Sequence, residues 1–163
     1  MQARQIIGAA KTIISDGDWQ TGRMPRSAFP LSKSGGRAYR LGNRRWRAIK
    51  LIVAEIECRV VISYRADLME FQALFGVDHG GDTKIIASIE HHRSHVPPWH
   101  AHVCCGPISG IPAGIKRGPW VRCMGWVGKP QSATFPQSDH DAFNKAARFF
   151  RLAKRPDEGL VLL

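Results

Sequence analysis

An α+β domain is the fold this sequence predicts: one antiparallel sheet of about four to five strands, flanked by N-terminal and C-terminal helices. Three observations predict it. Apolar residues recur at helical spacing at both ends of the chain; β-branched, alternating runs fill the middle; and Gly- and Pro-rich turns separate those runs. With 163 residues, the chain reads as a single domain over 1–163, long enough to bury about two thirds of its unfolded surface.

The elements follow in order. Over residues 2–15, Ile6, Ile7, Ala10, Ile13 and Ile14 keep helical spacing, and Asp16-Gly17 ends the run, so a helix is expected there. Residues 18–44 are rich in Gly, Pro, Ser and Arg without a period and read as a long basic loop, a class that is functional or mobile. Two β-rich runs follow at 46–56 and 58–65, with Arg59, Ser63 and Arg65 on one face of the second. The boundary near Glu57 lacks a turn signal, which leaves helix open for the first run. Asp67 and Glu70 resemble a capping box, and with Leu68, Phe71, Leu74 and Phe75 they predict a short helix ending at Gly76. His79-Gly80-Gly81-Asp82 marks a turn. Residues 84–91 then alternate, with Ile85, Ala87, Ile89 and His91 expected on one face. Trp99 to Cys105 alternate as well and group His100, His102 and Cys104. A further β-like piece spans Trp120–Val127. Ser138 caps a last helix with Asp139 and Asp141 in its first turn and a core stripe of Phe143, Ala146, Ala147 and Phe150, ended by Lys154-Arg155-Pro156. The tail ends apolar at Leu160 to Leu163, as an added edge strand or a partner contact would.

Charge narrows the function classes. Twenty-four basic against 13 acidic residues give a net charge of +11, a field that favours polyanions. Between Asp18 and Glu55 nine basic residues occur and no acid, with Tyr39 and Trp46 among them. Arginine pairs with phosphate and aromatics stack on bases, so Arg37, Tyr39, Arg40, Arg44, Arg45, Trp46 and Arg47 are expected to contact nucleic acid, RNA rather than DNA. An acidic protein partner such as an antitoxin would suit the same belt. No apolar run approaches the roughly 20 residues of a membrane span, and no signal-peptide core is visible. The four cysteines form no C-x-x-C pair. A reduced, cytoplasmic setting is the expectation.

The densest chemistry is histidine. Five of the seven histidines fall between His91 and His102. With Pro97-Pro98 in a turn, pairing the flanking strands sets His91 opposite His100 and Ile89 opposite His102, which brings His91, His100 and His102 to one patch. His92 and His95 fall in the turn or on the opposite face. Imidazoles there can take and return protons on an RNA backbone while cations such as Arg59 and Arg93 stabilise the transition state, and no cofactor is required. Alternatively His91, His100 and His102, or Cys104 in place of one of them, bind Zn as the centre of a hydrolase. Residues 91–138 hold no Asp or Glu, which weighs against zinc because bound histidines usually have carboxylate or carbonyl partners.

In size, charge and order of elements the chain resembles the small metal-independent ribonuclease toxins of the barnase-like and RelE-like group. That resemblance implies a toxin-like endoribonuclease. The other alternative, from a different class, is a non-catalytic nucleic-acid- or nucleotide-binding protein of the phage or defence kind.

Overall fold

A computed structural model describes residues 1–34, 43–116, 121–122 and 134–152. The sheet contains β1 (Thr12–Asp16), β3 (Arg45–Val53), β4 (Ile56–Arg65), β5 (Glu70–His79), β6 (Asp82–His91), β7 (Trp99–Val103) and β8 (Val121–Arg122), in that spatial order and antiparallel throughout. The short β2 (Gln20–Thr21) pairs the beginning of β3. Among the described residues two α-helices complete it, α1 (Ala3–Gly8) and α2 (Asp139–Phe150). The class is α+β, with more strands than the sequence predicted.

From β3 to β7 every strand pairs with its neighbour in sequence. Two turns of two residues hold this meander: Ala54-Glu55, with φ of 46° and 67°, and Gly80-Gly81, with φ of 58° and 78°. Both residues of such a turn need positive φ, which glycine adopts freely and Ala-Glu does not advertise. The expected strands at 46–56 and 58–65 are present, and the first is not helical.

The second half of one expected helix, and most of another, are strands. α1 stops at Gly8, and Thr12–Asp16 pairs with Ile49–Ile52 of β3 instead of continuing the coil. Thr12, Ile13 and Ile14 are β-branched, and edge pairing satisfies their backbone. The Lys11 ammonium covers the freed helix end, donating to Ile7 O at 2.7 Å and Ala9 O at 2.9 Å. The second is β5. Phe71, Ala73, Phe75 and Val77 face one core and Leu74 the other, while Leu68 is exposed in the turn before it. Apolar residues on both faces of a strand imitate helical spacing, and ladders to β4 and β6 decide the outcome.

Both faces of the sheet are covered. The larger core lies between one face, α1 and α2, and contains Ile49, Val60, Ile62, Phe75 and Phe150. Against the other face a strap of residues 22–34 packs Met24, Phe29 and Leu31 onto Trp46, Val61, Leu74 and Ile85. Trp46 Nε1 donates to Gly22 O at 3.0 Å and Lys33 N to Gly114 O at 2.9 Å, fastening both ends. Part of the long basic loop is thus structural. A bulge at Ile86 sends Ile85 to the strap side while Ala87, Ile89 and His91 keep the large-core face, which corrects the expectation that all four align.

α2 begins as predicted. Ser138 Oγ accepts from Asp141 N at 3.1 Å, and Phe143, Ala146 and Phe150 are buried. The helix ends at Phe150, with Arg151 in the left-handed region at φ 54°. Lys154-Arg155-Pro156, the apolar tail and most of Trp120–Val127 lie outside the described residues; Val121 and Arg122 pair with Val103 and His102.

Candidate functional site

The hairpin of β6 and β7 forms as expected, but one residue out of the expected register. His91 pairs with Trp99, Glu90 with His100 and Ser88 with His102. Trp99 decides this. Its ring packs on Phe71 at 5.5 Å in the large core, and Ala101 and Val103 follow it inward. Strand alternation then turns His100 and His102 to the strap side of the sheet, with Ser88 and Glu90. His92 N donating to Pro98 O at 3.0 Å and His95 N to His92 O at 3.0 Å close the turn.

The site is therefore built around a carboxylate. Glu90 Oε1 accepts from Gln72 Nε2 at 2.9 Å, and His92 Nε2 lies 3.0 Å from Glu90 Oε2. His100 Nε2 approaches the same Oε2 at 3.5 Å, the long limit for a hydrogen bond. Burial opposes ionisation of Glu90, but hydrogen bonds from His100, His92 and Gln72 prevail and hold its carboxyl well below the ordinary range. Rings gather around His100. His92 stacks on it at 5.3 Å, His95 lies at 5.1 Å, and His102 stands perpendicular at 5.3 Å. Glu90 and His100 are buried, His92 and His102 half-buried and His95 exposed, so the cluster opens from a closed floor to solvent. Glu90, His100 and His102 each offer a ligand atom, all within 4.8 Å of one another, and could hold a metal ion.

Several expected members lie elsewhere. His91 is in the large core: its Nδ1 is 2.6 Å from Met69 O, and Trp99 and Phe135 flank its ring at 4.8 and 5.1 Å. Burial lowers its pKa. Cys104 has left the alternation and is buried with the large core, its thiol donating to Ile85 O at 3.6 Å, and burial pushes it up to about 11. Conversely, His92 and His95 join the cluster from which the expected register had removed them. The lack of acids over residues 91–138 holds along the chain but not in space, because Glu90 belongs to the patch. Polarity carried the missing signal. Only the observed register matches Ile89 with Ala101 and Ser88 with His102, apolar to apolar and polar to polar.

Most of the expected cations among the described residues are engaged elsewhere. Arg59 bonds Asp78 through Nε at 2.7 and 2.8 Å. It lies four residues along β4 from Ser63, which marks the Glu90 row, or about 13 Å at strand rise. Arg65 pairs with Asp67 at 2.9 Å. In the belt, Arg44 pairs with Glu70, Arg45 with Asp139 and Arg47 with Asp16, and Trp46 is buried under the strap. Arg47 also lies over the Phe143 ring at 5.0 Å. Each of these side chains therefore also makes a contact within the fold. Arg93 is exposed in the hairpin turn beside the cluster. Arg37, Tyr39 and Arg40 lie outside the described residues.

Comparison with protein-family models, curated proteins and solved structures finds no match to this chain. No helix among the described residues is long and apolar enough to cross a membrane.

Proposed function

We propose that this chain cleaves phosphodiester bonds in RNA at the patch formed by Glu90, His92, His95, His100 and His102. One observation carries the reading: a buried, ionised carboxylate shares an opening to solvent with four imidazoles. In the cleavage the 2′-oxygen attacks phosphorus, its proton passes to a base, and the bond to the departing 5′-oxygen breaks as that oxygen takes a proton from an acid. His92 and His95, at the open side, are the residues for these two transfers. The net charge of +11 favours a polyanionic substrate. Buried thiols at Cys58 and Cys104 suit a reduced cytoplasmic setting, and an acidic antitoxin-like partner would fit the charge.

Incubation with total RNA tests this. Cleavage lost at least 100-fold in His92→Ala and His95→Ala supports it. Intact RNA retained by the protein in a steeply salt-dependent way would leave a nucleic-acid-binding protein and sink the enzyme.

A further inference from the structure

Phosphodiester cleavage is favoured by positive charge against the non-bridging oxygens, and beside the patch the described residues offer Arg93 in the exposed hairpin turn. Arg44, Arg45, Arg47, Arg59 and Arg65 are each paired with a carboxylate. We propose that a divalent first-row metal ion, zinc above all, supplies this charge, held by Glu90, His100 and His102 with Gln72 setting the carboxylate. The inference deepens the cleavage reading and rests on it for its purpose, not for its geometry.

The donor set has the right chemistry. Two imidazoles and one carboxylate suit zinc, and three protein ligands leave a coordination position for water or substrate. The separations fit as well. His100 Nε2 and Glu90 Oε2 stand 3.5 Å apart. Two donors each about 2.0–2.1 Å from a tetrahedral zinc lie about 3.4 Å apart. His102 completes the group with its ligand atom inside the 4.8 Å limit, so a small closing rotation of a half-buried ring suffices. His100 itself points to a ligand. It is 7% exposed, and among the described residues its Nδ1 has no hydrogen-bond partner and its Nε2 has only the long approach to Glu90. Buried imidazoles normally satisfy both nitrogens.

Gln72 gives the site its selectivity. Its amide occupies Glu90 Oε1 at 2.9 Å and leaves Oε2 toward the histidines. The carboxylate is thus presented through one oxygen, as a small tetrahedral ion requires; larger, oxygen-preferring ions favour both. Ser88 Oγ, 3.4 Å from His102 Nδ1, steadies the second imidazole from behind. Gln72 and Ser88 are positioning residues. They sit one strand over from Glu90 and directly opposite His102, respectively.

The test is loading of the purified protein with zinc and with cobalt. One ion per chain is expected after dialysis, with at least a 100-fold loss of affinity in His100→Ala and Glu90→Ala. His102→Gln guards against a folding failure. His91→Phe, on the other face of the sheet, should bind as the wild type does. In the cobalt form Gln72→Leu should shift the visible absorption from the intense bands of four-coordination toward the weak bands of higher coordination, a change that loss of stability alone does not produce. No stoichiometric metal in the wild type, or full affinity in His100→Ala, overturns the metal site. An unchanged cobalt spectrum in Gln72→Leu overturns the role of Gln72. RNA cleavage that persists in chelator leaves the proposed function standing without this inference, and metal binding without RNA cleavage does the reverse.

Discussion

Seating Trp99 in the core removes the hairpin's freedom of register, and the polar chemistry of the patch follows from that single apolar anchor. Beside it, His91 illustrates how one residue of displacement along a strand changes a histidine's task. Facing inward between Trp99 and Phe135, with its hydrogen bond to Met69 O, it fills space and ties the β4–β5 turn to the end of β6. His91→Phe should therefore lower stability by about 1 kcal/mol, the worth of the lost hydrogen bond, while RNA cleavage stays within about threefold of wild type. Thermal unfolding and a cleavage assay on the same preparation check it. A 100-fold loss of cleavage in a folded His91→Phe protein would restore the pairing of His91 with His100.

At the scale of elements, the junction of α1 and β1 depends on a buried ammonium. Burial pushes Lys11 down from 10.5 to about 8, against a smaller opposing influence of Cys58, whose own thiol burial pushes up to about 12. Above that pH the folded chain sheds a proton that the unfolded chain keeps, so the unfolded state binds more protons and stability rises with pH. Between pH about 7.5 and about 9.5 the melting temperature of the wild type should rise relative to that of Lys11→Met, since the raised thiols of Cys58 and Cys104 oppose the rise equally in both proteins. Equal slopes in both proteins would contradict the burial of Lys11. The same junction shows where sequence periodicity fails. Ile6, Ile7, Ile13 and Ile14 keep a helical stripe, yet Ile14 is 52% exposed on an edge strand. β-Branched residues and the need to pair β3 outweighed the stripe. The opposite case is α2, where Ser138, the acidic first turn and the apolar stripe agree, and the helix starts where they place it.

For the whole molecule, charge read along the chain and charge read in space differ. Nine basic residues without an acid between Asp18 and Glu55 suggest an open cationic belt. The fold brings Asp16, Glu70 and Asp139 to that belt from strands and a helix remote in sequence. No linear scan shows such pairings, just as none places Gln72 beside Glu90. Arg47→Ala should consequently lower the melting temperature by several degrees, through loss of its Asp16 and Phe143 contacts, and change the salt slope of RNA binding by less than one. A fall in the slope of one or more with stability intact would make Arg47 a phosphate contact. The α+β class, the strands from 46 to 65 and the Gly80-Gly81 turn were legible in the sequence. The register was not, because the wrong one also brings three histidines together.

The row Trp46, Ser63, Gln72, Glu90 and His100 crosses five strands, yet each step along it joins strands adjacent in sequence. Every one of those steps closes a short loop, so the entropy lost in closure is small at each stage. Attaching β1 to β3 instead closes the long span from Asp16 to Arg45. In kinetic terms, the strands that carry the patch can zip up progressively as hairpins before the edge strand and strap are drawn in.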